Sequence, residues 1–254
     1  MAIEAVDLGF QYGEQHIIKQ CTFKLEKGKI YCILGRNGSG KTTLLKLLNG
    51  LLKPCAGRVL LEGQDVQDCS RKKLARIMGC VPQEHTGVFS YRVREMVVMG
   101  RNPHLGLFDR PSKSDYEIAD EALNKVGLLE LGDRSYMKIS GGERQMVFLA
   151  RAIAQEASYF LMDEPTSHLD FYNQHTTMNC LRQIVKQQGC GAVIAMHDPN
   201  LTMTFADEVL MLKDGTVFAQ GPVDKVMTGN NLKTLYNMDI HIASLPEGKR
   251  IVVG

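Results

Sequence analysis

The chain has 254 residues, with 30 Lys and Arg against 28 Asp and Glu and a formal net charge of +2. That length allows one large domain or a core with an insertion, and so even a charge balance argues against a nucleic-acid coat or an acidic-tail partner. Seven cysteines, an odd number with no C-x-x-C pair, argue against a disulfide framework or zinc knuckle, and no apolar run reaches the roughly 18–20 residues of a membrane span.

The N-terminus, Met1 to Ala5, lacks the basic-then-apolar pattern of a signal peptide, so any membrane role is expected to come through partner chains. Ile3 to Leu8 and Cys21 to Glu26 nearly alternate apolar and polar residues, as half-solvated antiparallel strands do. Tyr12 falls in the loop between them; its ring could stack on an adenine, although packing is the simpler account of a lone aromatic. Ile30 to Leu34 is a continuous apolar run, and Gly35-Arg36-Asn37-Gly38-Ser39-Gly40-Lys41-Thr42 after it fits G-x-x-x-x-G-K-[ST], with a helix-forming run from Thr43 to Leu48. A weaker strand, Ile77 to Val81, leads into Pro82 and Gln83. From about Glu84 to Gln155 the pattern is mostly helical, with three-and-four spacing in Val93 to Met99, Ser114 to Val126 and Gly142 to Gln155. Asn102 to Gly106 and Arg110-Pro111 read as turns inside this block. Tyr159 to Met162 and Ala192 to Met196 are again continuous apolar runs, the mark of parallel strands covered on both faces. Glu208 to Leu212 and Thr216 to Ala219 form a hairpin through Asp214-Gly215, and Ile240 to Leu245 with Arg250 to Val253 a second one around Pro246-Glu247-Gly248.

These elements predict an α/β core with a mostly parallel sheet, an N-terminal antiparallel β subdomain and an inserted helical subdomain. In such a core, ligands bind outside the carboxyl ends of the strands, where this chain places Gly35, Gln83, Asp163-Glu164 and His197-Asp198. Glycines let backbone N–H groups curl around phosphate oxygens, and the helix that follows turns its positive end toward them. Lys41 would reach the β/γ-phosphates and Thr42 would ligate Mg²⁺. Phosphoryl chemistry also needs a metal-binding carboxylate and a group that orients water; Asp163 would hold Mg²⁺ and Glu164 would act as general base. His197 could donate a hydrogen bond to the γ-phosphate. Ser140-Gly141-Gly142 opens a helix and could form a second anion site. Ser140 and Glu143 equally fit an S-x-x-E capping box, and a hydroxyl used for capping is less free for phosphate.

Together these residues resemble the ATP-binding subunits of ABC transporters, over essentially the whole chain. Gly35 to Thr42 resembles Walker A, Tyr159 to Asp163 Walker B, Glu164 the catalytic glutamate, Ser140 to Gln145 the signature motif, Ser167-His168-Leu169-Asp170 the D-loop and His197 the switch histidine, while Gln83 falls at the Q-loop. The resemblance implies a single ABC ATPase domain over 1–254, with a helical subdomain at 84–155 and hairpins and short helices at 214–254. It implies ATP and Mg²⁺ as cofactors. Nucleotide contacts are expected from Tyr12, Gly35, Asn37, Gly38, Ser39, Gly40, Lys41, Thr42, Thr43, Ser140, Gly141, Gly142 and Asp170. Catalytic roles fall to Glu164, His197 and Gln83, and Mg²⁺ contacts to Thr42, Gln83 and Asp163. It further implies a head-to-tail homodimer with ATP between one chain's phosphate loop and the other's Ser140-Gly141-Gly142, two multi-span permease subunits, a separate substrate-binding protein, no nucleic acid, and a cytoplasmic place on the inner face of the membrane.

The signature departs from the commoner pattern at Ile139 and Glu143, and the D-loop at His168. A carboxylate at 143 is unfavourable beside a triphosphate unless it faces away or pairs with Arg144. Val93 to His104 resembles the corresponding segment of importers of iron–siderophore, haem, cobalamin and related metal cargo, although Met96 and Met99 at that spacing also suit a helical core. The alternatives are a soluble ABC ATPase of iron–sulfur assembly or DNA maintenance, a nucleotide-binding regulatory module without turnover, and a P-loop kinase in which Ser140-Gly141-Gly142 would have no purpose.

Overall fold

Alternation at the N-terminus becomes a long antiparallel pair, β1 (Ala2–Tyr12) and β2 (Gln15–Glu26). The structure, a computed structural model, describes residues 2–82, 91–106, 108–167, 169–244 and 250–253; Gln83, His168, Leu245 and the Pro246-Glu247-Gly248 turn lie outside them. The chain forms two units, residues 1–69 with 191–254 and residues 70–190. In the first, Tyr12 is not in a loop as expected: it ends β1 and pairs with Gln15. The apolar run is β3 (Ile30–Leu34), all five residues buried, and after the glycine-rich loop comes α1 (Lys41–Leu48). β4 (Ala56–Leu61) and β5 (Gln64–Asp65) complete a sheet of order β2-β1-β4-β5. Gly57 in β4 has φ +66° and a Cβ there would lie 2.2 Å from Val6 O, so only glycine fits.

The second unit opens with α2 (Arg71–Ile77), capped by Ser70, and β6 (Met78–Val81). Ile77, expected in the strand, closes the helix. The helical block is α3 (Val93–Val98), a 3₁₀ turn over Met99–His104, α4 (Lys113–Lys125) and α5 (Gly141–Ala154). Next come β7 (Tyr159–Asp163), parallel to β6 with Val81 opposite Met162, and α6 (Phe171–Gln188). Arg101 is buried at the centre of the helical block. Its Nε donates to Asp115 Oδ1 at 3.1 Å, and Nη1 donates to Ala154 O at 2.8 Å and Glu156 Oε2 at 2.6 Å. One guanidinium thereby ties the start of α4 to the end of α5.

The chain then returns to the first unit with β8 (Gly191–Met196), α7 (Pro199–Phe205), β9 (Glu208–Lys213), β10 (Thr216–Pro222), α8 (Val223–Val226), α9 (Gly229–Tyr236) and the pair β11 (His241–Ser244) and β12 (Arg250–Val253). Here the strand order is β10-β9-β3-β8, with β3 parallel to both neighbours. Every residue of β8, like every residue of β3, is buried, as a strand covered on both faces requires. Asp214 (φ 50°) and Gly215 (φ 81°) close the expected hairpin with the two positive φ angles that a two-residue turn needs. None of the seven cysteines is in a disulfide. No helix among the described residues is long and apolar enough to cross a membrane.

Candidate functional site

β3 delivers its loop beside β8. Leu34 pairs with Met196, and Gly35 N–H donates to Met196 O at 3.4 Å, so the loop's first residue adjoins the strand end that carries His197. Gly35 is irreplaceable on packing grounds, because a Cβ would meet Ser39 Oγ at 2.5 Å and Leu212 O at 2.6 Å. Gly38 (φ +80°) and Gly40 (φ +103°) hold the left-handed backbone that curls the loop. Gly40 is the N-cap of α1 and supplies no capping side chain, and no acidic residue lies in the helix's first turn. The helix end thus points uncapped N–H groups at the loop with no carboxylate to compete for them. Lys41 is buried, its Nζ donating to Gly35 O at 2.9 Å and Arg36 O at 3.3 Å, while Thr42 is exposed and Thr43 buried. The buried Ser39 Oγ finds no hydrogen-bond partner among the described residues. These are the properties of a cradle for a polyphosphate. Tyr12 is 51% exposed and meets Phe10 edge-on at 4.8 Å, leaving its ring open to a stacking partner. His197 is exposed at the end of β8.

In the second unit, β7 ends on Asp163, which is partly buried. Glu164 follows with φ 46°, and its carbonyl accepts from Ser167 N–H at 3.0 Å and Ser167 Oγ at 2.8 Å. That turn aims the chain away from the strand and leaves two successive carboxylates at its end. The capping box at Ser140 is formed in full: Ser140 N–H donates to Glu143 Oε2 at 2.7 Å and Glu143 N–H to Ser140 Oγ at 3.2 Å. Those contacts, the Ser140 N–H first and its hydroxyl second, hold the Glu143 carboxyl below the usual carboxylate range. Glu143 therefore turns back onto the helix start and is not paired with Arg144, which instead donates to Met137 O at 2.9 Å and lies 5.6 Å from the Tyr136 ring centre.

Asn173 is the site residue that sequence reasoning missed. A Cβ on Gly142 would lie 2.9 Å from Asn173 Cγ, and Asn173 donates its N–H to Asp170 Oδ1 at 2.8 Å and its amide to Asp170 Oδ2 at 3.0 Å. The starts of α5 and α6 thus abut, bringing Ser140-Gly141-Gly142 and Asp170 together through a side chain for which no motif exists. Gly141 is unobstructed on its side-chain face, with nothing within 4 Å of a built Cβ. Among the described residues no group of three or more His, Cys, Asp or Glu could hold a metal, so a protein-only cage of that kind is not what the residues offer.

Residues 18–167 match the family model described as ABC transporter. A probable iron chelatin transport ATP-binding protein of Helicobacter pylori is 36% identical over 244 residues, 93% of each chain. The molybdate import ATP-binding protein MolC of Haemophilus influenzae is 35% identical over 238 residues, 93% of this chain and 88% of that one. A solved structure described as an inward-facing ABC transporter of metal-chelate type superposes with a TM-score of 0.87 at 33% identity, over 99% of this chain and 95% of that one. Uncapped helix, glycine cradle and strand-end carboxylates have a common explanation in this likeness: the chain belongs to the ABC transporter family, as one of its ATP-binding subunits.

Proposed function

We propose that the chain hydrolyses ATP to energise a membrane importer of metal-containing cargo, of the iron-chelate class. The observation that carries the reading is the end-to-end likeness to transport subunits, in a chain that keeps the whole loop geometry a triphosphate needs. Lys41 and the N–H groups of Gly38 to Thr43 bind the β/γ-phosphates, and Tyr12 stacks on the base. Mg²⁺ takes few protein ligands and relies on substrate phosphates and water, which suits a hydroxyl from Thr42 with the Asp163 carboxylate and Gln83. When bound, the ion neutralises charge on the phosphate oxygens. Glu164 removes a proton from the attacking water, and His197 donates a hydrogen bond to the γ-phosphate.

Ser140, Gly141, Gly142 and Asp170 act on nucleotide held by a second copy of the chain, which makes ATP a ligand of a two-fold dimer interface. The opening and closing of that dimer is passed to two multi-span membrane subunits, fed by a separate substrate-binding protein, from the cytoplasmic face. Cargo is chosen by those other chains. Co-purification from a membrane extract tests the reading: a complex with two multi-span subunits is expected, and stable association with soluble assembly factors alone would overturn it.

A further inference from the structure

His197 leaves β8 on a turn whose backbone is held by the C-terminal part of the chain. Tyr236, the last residue of α9, donates its phenolic O–H to His197 O at 2.8 Å. The helix that carries Tyr236 is itself fixed: Leu232 and Leu235 are fully buried, Lys213 Nζ donates to Thr234 O at 2.6 Å, and Asn237 closes the helix with φ 56°. On the other side of the turn Asp198 caps α7, its Oδ1 accepting from Asn200 N–H at 2.7 Å and Leu201 N–H at 3.0 Å. Asn200 in turn grips β12, accepting from Val252 N–H at 2.7 Å and donating to Val252 O at 3.3 Å.

A phenylalanine at 236 would fill the same space, so the hydroxyl serves the His197 carbonyl and not the packing. Burial first, and the Asp198 charge second, push the Tyr236 phenol up from its ordinary value, which keeps it a protonated donor. We propose that Tyr236 is a positioning residue for His197, and that α9 and β12 together clamp the His197 turn so that its imidazole is set before nucleotide arrives. This rests on the reading of His197 as a γ-phosphate contact. A side chain displaced by about 1 Å can forfeit up to about a hundredfold in rate, so a single hydrogen bond on the turn has a kinetic consequence larger than its share of stability.

Mg·ATP turnover of the full chain tests it in four forms: wild type, Tyr236→Phe, His197→Ala and the double variant. Tyr236→Phe is expected to lower kcat about 3- to 10-fold, with KM for ATP unchanged and the melting temperature lowered by no more than the few degrees that one hydrogen bond contributes. The double variant is expected to be no slower than His197→Ala. Wild-type kcat in Tyr236→Phe, a kcat loss matched by a raised KM for ATP, or a double variant slower than His197→Ala would each overturn the clamp. Wild-type kcat in His197→Ala would instead overturn the reading of His197 beneath it.

Discussion

Glu164 adopts φ 46°, a left-handed backbone that costs a non-glycine residue on the order of 1–3 kcal/mol and survives only where the surroundings impose it. Ser167 imposes it, with both its N–H and its hydroxyl on the Glu164 carbonyl. The strain fixes where the carboxylate leaves the chain, which is what a general base requires. Glu164→Gln keeps the backbone and the side-chain volume but cannot take a proton; it is expected to lower phosphate release at least about a hundredfold while retaining nucleotide binding, measured by filter binding beside turnover. Lys41 is the corresponding residue of the cradle. Its Nζ already sits at the loop, on Gly35 O and Arg36 O, so Lys41→Ala is expected to weaken ATP affinity at least about tenfold, and unchanged affinity in a titration would remove the loop from its assigned role.

At the scale of elements, α5 is held at both ends. Its start carries the Ser140–Glu143 box; its end is met by Arg101 on Ala154 O and by His104 Nε2 at 2.9 Å from Gln155 O. The Gln155 side chain reaches on to Met78 O at 3.1 Å and to Ala75 O. Gly100 allows this approach, since a Cβ would lie 2.2 Å from Arg151 O. Arg101→Leu leaves the buried Asp115 with the Ser112 N–H and hydroxyl but no cation, and Ala154 O without its guanidinium donor, so it is expected to cost about 1–3 kcal/mol, read as a lower midpoint in denaturant unfolding. Glu143→Ala is expected to cost about 1 kcal/mol through the lost cap, with Glu143→Gln, which keeps the hydrogen bond and loses the charge, melting between Glu143→Ala and wild type near neutral pH. Because the folded Glu143 carboxyl lies below its ordinary value, its charge contributes stability above the unfolded pKa and loses it as pH falls through the folded one. The melting advantage of wild type over Glu143→Gln is therefore expected to vanish on acidification; a gap that persists in acid contradicts the assignment.

The same elements show how far the sequence could be read. Continuous apolar runs located β3, β7 and β8, and three-and-four spacing located α3, α4 and α5, because burial imposes those periods directly. α6 escaped notice: its buried residues Thr177, Met178, Leu181, Ile184 and Val185 begin only after its first turn and a half, while Phe171 and Tyr172 at its start are 77% and 75% exposed. β4 escaped too, since only Val59 and Leu61 face inward and Gly57 breaks the alternation. The phosphate loop and the two carboxylates were visible because chemistry fixes their residue types. Asn173, Arg101 and Tyr236 act through contacts made only after folding, between residues far apart in sequence, and no local pattern announces them.

For the whole molecule, the phosphate loop and His197 belong to the unit of residues 1–69 and 191–254, and Asp163, Glu164, Ser140 and Asp170 to the unit of residues 70–190. In the proposed cycle ATP is held by one chain and completed by the Ser140-Gly141-Gly142 segment of another, so turnover belongs to the pair. Hydrolysis should then depend on chain concentration in a way that a self-sufficient enzyme's would not. The most direct test is Mg²⁺-dependent phosphate release per chain, followed across a dilution series. Release per chain is expected to rise with chain concentration to a plateau and to be abolished throughout by Glu164→Gln; release per chain that is constant on dilution would rule out a site shared between two chains, and release equal in wild type and Glu164→Gln would rule out Glu164 as its base.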